Sequence, residues 1–174
     1  MADENSDKII IETDEYEEER LPQETTRVLV FNLGGETYGI DIKQARSVVK
    51  LDVITRVPNM PEFISGVMNL RGDVVSLVDI RYFFGLPQRE RTDGARAIVV
   101  DSADGPVGIV VDNIRFTLDI PEGSIQPPLA TLNEKLAGYT KGEVQLESGI
   151  LVLLDLVKVL SSDEIGRLKK GDSI

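Results

Sequence analysis

The chain of 174 residues contains no cysteine, no histidine and no tryptophan. Without cysteine it can form neither a disulfide nor a thiolate site, which fits a reducing compartment. The absence of cysteine and histidine excludes the usual zinc, copper and haem sites, as well as Ser-His and Cys-His nucleophile pairs. An all-oxygen Mg²⁺ or Ca²⁺ site stays open in principle, but no carboxylate loop has the ligand spacing for one.

Long apolar runs and excess positive charge are missing too. No stretch approaches the roughly 20 residues of a membrane-spanning helix, and the first residues lack the basic and apolar pattern of a signal peptide. A formal net charge of −11 would be repelled by nucleic-acid phosphates and anionic lipid. We therefore predict a soluble cytoplasmic protein, whose acidity is explained most simply by solubility.

Much of the acidity is concentrated before residue 27. The run Glu15-Tyr16-Glu17-Glu18-Glu19 lies within this stretch, which cannot bury enough apolar surface to offset its ordering entropy. We predict a disordered acidic tail over residues 1–26 and a folded domain over residues 27–170. The apolar triplet Ile9-Ile10-Ile11 departs from this composition. It could form an apolar interaction segment or part of an edge strand, but the short length of the triplet favours disorder.

The rest of the chain contains an internal repeat. Arg27–Leu51 aligns without gaps on Arg96–Ile120, and Gly66–Phe84 resembles Gly142–Leu160 at a slightly larger offset, because the loop before the second hairpin is longer in the second copy. Turns and apolar positions largely coincide, although chance similarity between β-rich segments is the alternative. The repeat predicts two copies of one unit: hairpin, strand, loop, hairpin and short helix. Short strands with Gly-rich turns favour small antiparallel barrels, which also remove exposed strand edges.

The stretch Gly66–Ile80 is the centre of the first copy. Two β-rich runs flank a tight reversal at Arg71-Gly72, where glycine supplies the backbone freedom of a sharp turn. Asp79 then resembles the N-cap of a helix over Ile80–Phe84, and Asp155 holds the equivalent place in the second copy. Their matching positions favour helix capping over acid catalysis. A further C-terminal helix is predicted from Ser161 onward by a capping-box pattern.

No pairing of a base with a nucleophile survives this inventory, which indicates a binding protein and not an enzyme. Arg71 is either a solvated arginine or an interaction anchor, and position alone does not decide. Asn69 either binds a partner or satisfies the backbone of the turn. Two rival functions stay open: an SH3-like barrel that binds nucleic acid, which the negative charge opposes, and a magnesium-dependent enzyme. The carboxylates that motivate the enzyme hypothesis are Asp41, Asp73, Asp79 and Asp112.

Several motifs resemble the CheW family, the coupling proteins of bacterial and archaeal chemotaxis. The resemblance extends from about Arg27 to Lys169, and the Asn-Leu-Arg-Gly hairpin in this context is its most specific signal. The matching stretches are Phe31-Asn32-Leu33-Gly34, Tyr38-Gly39-Ile40-Asp41-Ile42, Phe63-Ile64-Ser65-Gly66-Val67-Met68-Asn69-Leu70-Arg71-Gly72, Leu77-Val78-Asp79-Ile80-Arg81 and Gly108-Ile109-Val110-Val111-Asp112.

This resemblance implies a mostly β fold of two intertwined five-stranded SH3-like barrels, which agrees with the internal repeat. It implies a non-catalytic adaptor without a cofactor, which joins the cytoplasmic tips of chemoreceptors to the histidine kinase CheA. The regulatory domain of the kinase would meet the adaptor end to end, and the adaptor would be recruited from the cytoplasm to membrane-associated receptor arrays.

The resemblance also implies a receptor-binding groove that includes Arg71, with Asn69 and Gly72 in the same motif. Two further positions after the Tyr-Gly-Ile-Asp-Ile run are often valine and glutamate in the family; here they are Ala45 and Ser47. Because Ser47 cannot pair with an arginine, Arg71 would be free to pair with a partner's carboxylate. This departure leaves open a specialised CheW paralogue that serves a different chemosensory array.

Overall fold

The computed structural model describes residues 24–129 and 133–161, and within them the chain is mostly β-structure, as predicted. Three short α-helices accompany the strands: α1 (Arg81–Phe84), α2 (Glu134–Gly138) and α3 (Leu156–Leu160). The strands are β1 (Thr25–Leu33), β2 (Glu36–Asp41), β3 (Ala45–Lys50), β4 (Ile64–Leu70), β5 (Asp73–Val78), β6 (Arg96–Ser102), β7 (Gly105–Val111), β8 (Asn113–Pro121), β9 (Thr140–Leu146) and β10 (Gly149–Leu154).

The strands form two five-stranded sheets. Sheet A has the order β8-β1-β2-β10-β9, and sheet B has the order β3-β6-β7-β5-β4. Neighbouring strands are antiparallel except for β2 with β10 and β5 with β7, which are parallel. Each sheet therefore takes two strands from one half of the chain and three from the other. The predicted intertwining of two five-stranded units is confirmed at the level of the sheets.

The internal repeat is visible in this strand order. The alignment that places Arg27 on Arg96 carries β1, β2 and β3 onto β6, β7 and β8, and the alignment that places Gly66 on Gly142 carries β4 and β5 onto β9 and β10. After this exchange the two sheets have the same order of equivalent strands. The predicted repeat therefore corresponds to a repeat in topology.

Matching glycines occupy equivalent crowded places. A Cβ atom on Gly39 would lie 2.5 Å from Val28 Cγ1, and one on Gly108 would lie 2.7 Å from Leu77 Cδ2. These glycines face a small core inside each sheet, where neighbouring side chains fill the space of a missing Cβ. Close packing leaves no room for an added methyl group there.

Two crossing segments also follow the repeat. After β3, Thr55 exchanges two backbone hydrogen bonds of 2.8 Å with Val67 of β4. After β8, Gln126 does the same with Glu143 of β9, again at 2.8 Å. A Cβ on Gly66, whose φ is 144°, would lie 2.6 Å from the Thr55 carbonyl oxygen. Each crossing therefore requires a residue without a side chain.

The core has three parts, of which the largest is shared by both sheets and the helices. Tyr38 lies at its centre, with ring centroids 6.1 Å from Phe31 and 5.8 Å from Phe84. Its side chain is only 1% exposed. Burial raises the pKa of its hydroxyl to about 12, so Tyr38 stays neutral near pH 7 and serves as a core residue.

Some predicted boundaries shift when the pairing is known. β1 begins at Thr25, before the predicted start at Arg27, because Thr25 and Thr26 pair with Pro121 and Ile120 of β8. The acidic residues before Glu24 and the C-terminal helix predicted from Ser161 onward lie outside the described residues, apart from Ser161 itself. Within the described ranges, no helix has the length and apolar character needed to cross a bilayer.

Candidate functional site

The β4–β5 hairpin presents Arg71 at its tip. Leu70 pairs with Asp73, so Arg71 and Gly72 form a two-residue turn with φ values of 53° and 90°. Positive φ at both positions is typical of a type I′ turn, whose twist matches that of the flanking strands. For arginine, this left-handed conformation costs about 1–2 kcal/mol. The hairpin therefore holds Arg71 in a conformation that the residue would not adopt by itself.

Asn69 and Gly72 shape this turn. The Asn69 Oδ1 atom accepts a hydrogen bond of 3.0 Å from the Gly72 backbone N–H. Of the two interpretations left open for Asn69, the structure shows the one in which the side chain satisfies the turn backbone. Arg71 is thus the side chain that the Asn-Leu-Arg-Gly motif projects outward.

The Arg71 side chain has room for a partner. It is exposed, and no hydrogen bond or ion pair from residues 24–129 or 133–161 engages its guanidinium group. A guanidinium group offers five N–H donors in a planar fork that fits a carboxylate bidentately. Arg71 can therefore receive an acidic group without first breaking an ion pair to the described part of the chain.

The other two predicted site residues lie on β3, which is at the opposite edge of sheet B from β4. A β-bulge at Arg46 places Ala45 opposite Val100 and Ser47 opposite Val99. Because a bulge interrupts the alternation of a strand, Ala45 is half-buried against the shared core whereas Ser47 is exposed. The structure thus brings Asn69, Arg71 and Gly72 together but places Ser47 on a separate strand.

The predicted role of Asp79 as an N-cap needs correction. Helix α1 begins at Arg81, and its N-cap residue Ile80 makes no side-chain capping bond. The Asp79 carboxylate accepts the Arg81 backbone N–H at 3.1 Å, but its closest partner is the Arg81 guanidinium, with Oδ2 2.7 Å from Nη2. Both residues are 6% exposed. By contrast, Asp155 does cap α3, because Oδ1 accepts from the Lys158 N–H at 3.2 Å.

This buried ion pair extends into a network that sequence reasoning missed. Arg81 Nη1 lies 4.0 Å from Asp112 Oδ1, and Asp112 Oδ2 accepts a 2.8 Å hydrogen bond from the Gly34 N–H. Arg81 Nη2 also donates to the Arg89 carbonyl at 3.2 Å. Hydrogen bonding to Asp79 raises the pKa of the Arg81 guanidinium, which stays charged. The network joins α1, the β1–β2 turn and the junction between β7 and β8.

A signal for this network was present in the sequence. Asp79, Asp112 and Gly34 all belong to the motifs that resemble the CheW family, and Arg81 follows Asp79 at a spacing of two residues. An arginine within the otherwise apolar run Ile80–Phe84 also indicated a buried partner. The network links α1 to the β1–β2 turn and to the β7–β8 junction, so these motif residues stabilise the fold.

Three of the four carboxylates of the magnesium hypothesis have structural partners. Asp79 and Asp112 belong to the network around Arg81, and Asp41 accepts a hydrogen bond of 2.9 Å from the Lys43 N–H. In the part of the chain that the structure describes, no three carboxylates converge as metal ligands would. The geometry therefore offers no support for a metal-dependent reaction.

Known chemotaxis proteins are similar to this chain in sequence and in fold. A family model described as the CheW-like domain matches residues 27–164. A chemotaxis protein CheW from Klebsiella aerogenes is 36% identical over 137 residues, which cover 79% of this chain and 82% of that protein. A chemotaxis protein CheW from Bacillus subtilis is 31% identical over 137 residues, which cover 79% of this chain and 88% of that protein. The crystal structure of the scaffolding protein TtCheW from Thermoanaerobacter tengcongensis matches with a TM-score of 0.70 and 28% identity, covering 87% of this chain and 96% of that one.

Proposed function

Because this chain belongs to the CheW family of non-catalytic chemotaxis scaffolds, we propose that it couples chemoreceptors to the histidine kinase CheA. The observation that carries the receptor half of this proposal is Arg71, which is exposed on a conformationally fixed turn. A rigid turn lowers the entropy that an interaction anchor loses on binding. The partner groups that this geometry fits are carboxylates at the cytoplasmic tip of a receptor.

Ser47 distinguishes this chain from the pattern of the family. It is exposed on β3 and carries no charge, so it cannot neutralise Arg71. An uncompensated Arg71 favours receptors that supply the negative charge themselves. This supports the alternative within the proposal, a specialised paralogue that serves a different chemosensory array.

The kinase half of the proposal rests on the fold. A regulatory domain with the same fold would meet this protein end to end, and recruitment to the membrane-associated array would follow from receptor contacts. Ala45 would contribute to the receptor surface through its partly exposed side, while Asn69 and Gly72 would contribute by holding Arg71.

A reconstituted kinase assay tests this function. Autophosphorylation of the kinase would be measured with receptor membranes of the same organism, with and without this protein. We expect receptor-dependent phosphate incorporation to change only when the protein is present. No change with the folded protein, combined with no retention of the kinase regulatory domain in a pull-down, would reject the adaptor function.

Arg71→Glu tests the site within that assay. Reversing the charge of a central anchor should weaken receptor binding about tenfold or more, measured by co-sedimentation with receptor membranes. Arg115→Glu is the matched control, because Arg115 is also exposed but lies on β8 of sheet A. A folded Arg71→Glu variant that sediments like the control would remove Arg71 from the receptor surface.

A further inference from the structure

A cleft beside α1 collects arginines in a protein that is otherwise acidic. It has a volume of about 500 Å³, and Arg56, Arg89 and Arg91 line it. The guanidinium group of Arg81, already paired with Asp79, contributes to its wall. We call this feature the arginine cleft. It is separate from the β4–β5 turn that presents Arg71, which does not line it.

Three of these arginines are available to a ligand. No carboxylate of residues 24–129 or 133–161 lies within ion-pair distance of Arg56, Arg89 or Arg91. Glu62 and Glu90 also line the cleft, but they too form no ion pair in that part of the chain. The unpaired groups leave a net positive charge, whereas the whole chain carries −11. This local reversal of sign attracts an acidic ligand.

The internal repeat shows that the fold does not require an arginine at the position of Arg56. Sheet A has an equivalent cleft of about 390 Å³, in which Asp41 and Lys141 occupy the places of Val110 and Ser65. At the crossing segment, the residue after the bridging position is Arg56 in sheet B but Pro127 in sheet A. The crossing segment therefore forms with proline at this position, so the presence of Arg56 in sheet B needs a reason other than folding.

The arginine cleft is also partly apolar. Ile54, Val57 and Met60 line it next to the arginines, and Val57 is 38% exposed. A fitting ligand combines apolar side chains with carboxylates. Nucleic acid would present phosphates to the arginines but no aliphatic side chains to Ile54, Val57 and Met60. An acidic peptide segment with neighbouring apolar residues fits better.

We propose that the arginine cleft binds the segment Ile9–Glu19 of the same chain. This segment begins with three isoleucines, Ile9-Ile10-Ile11, and the stretch Glu12–Glu19 that follows them is dominated by carboxylates. The isoleucines match the apolar side of the cleft, and the carboxylates match Arg56, Arg89 and Arg91. The chain thus contains both halves of a complementary pair.

The segment is long enough to reach the cleft. β1 separates Glu24 from the Gly34 turn by about 33 Å at the usual rise of a strand, and Gly34 is joined through Asp112 to Arg81 in the wall of the cleft. The stretch from Ile11 to Glu24 spans up to about 45 Å when extended. Tethering also gives the segment an effective concentration in the millimolar range, so weak contacts suffice.

A spin label on the full-length chain tests this contact. Because the chain has no cysteine, Thr13→Cys introduces one unique labelling site inside the segment. We expect the label to reduce the NMR peak intensities of backbone amides over residues 54–62 and 88–91. Replacing Arg56, Arg89 and Arg91 with glutamate should restore those intensities, and so should high salt, which screens charge–charge attraction.

Matched controls make the result decisive. Lys50→Glu, Arg115→Glu and Lys158→Glu reverse three exposed charges outside the arginine cleft and should leave the broadening unchanged. A mixture of spin-labelled chains with isotope-labelled chains that carry no spin label separates contacts within a chain from contacts between two copies.

Absence of broadening at the cleft, broadening that survives the arginine substitutions, or broadening of equal size in the mixture would each overturn the proposal. None of these measurements depends on the kinase assay.

Discussion

The buried guanidinium of Arg81 fixes how the helix after β5 meets the rest of the molecule. It pairs with Asp79 and approaches Asp112, and both it and Asp79 are almost fully buried. Removing charges from water is expensive, so the partners stabilise one another only as long as all of them are present. The residues act as a unit whose disruption should exceed the effect of an exposed ion pair.

Arg81→Met should therefore lower the free energy of unfolding by about 3–5 kcal/mol, because it leaves Asp79 as a buried, uncompensated charge. Urea denaturation measures this change. The matched control is Arg27→Met, which breaks an exposed pair of Arg27 with Asp119, 2.8 Å apart and more than half exposed on both sides. Exposed pairs contribute little to stability, because solvent screens their attraction. Equal effects of both substitutions would contradict the structural role of Arg81.

Some of these residue roles could be read from the sequence and others could not. Arg71-Gly72 between two β-rich runs predicted the turn, because glycine and local pattern determine turn geometry. The partner of Asp79 was missed because an N-cap and a buried carboxylate look alike until tertiary burial is known. The different exposure of Ala45 and Ser47 depends on a bulge against β6, a strand far along the chain, so local sequence does not reveal it.

At the scale of elements, the two crossing segments rely on glycine. Gly66 touches the crossing at Thr55, and Gly142 touches the equivalent crossing at Gln126, where an added Cβ would lie 2.8 Å from the carbonyl oxygen. The repeat in sequence predicted that the two glycines are equivalent. It did not predict the crossings, because an isolated bridge of one residue pair leaves no periodic pattern.

Gly66→Ala should destabilise the protein by about 2 kcal/mol or more, since the methyl group meets backbone atoms that cannot turn aside and the positive φ adds strain. Thermal and urea unfolding of the purified variant measure the loss. Gly123→Ala is the control, because an added Cβ there has no neighbour within 4 Å. If Gly66→Ala were as stable as Gly123→Ala, the crossing would not be as tight as described.

For the whole molecule, the exchange of strands predicts cooperative unfolding. Sheet A and sheet B each contain strands of both halves of the chain, so neither sheet can form while the other half is unfolded. Native-state hydrogen exchange under increasing denaturant should show the cores of both sheets opening together. Leu77→Ala in sheet B should lower protection of Val144 in sheet A as much as that of Val75. Independent opening of one sheet would contradict this.

Four strand pairings join one half of the chain to the other: β1 with β8, β2 with β10, β3 with β6, and β5 with β7. Two separate copies of a half-length ancestor could satisfy the same pairings by exchanging their last three strands, as in a swapped homodimer. Fusion of such a pair into one polypeptide makes assembly independent of concentration. It also frees the two halves to diverge, and in the present chain only one of two related clefts carries the arginines.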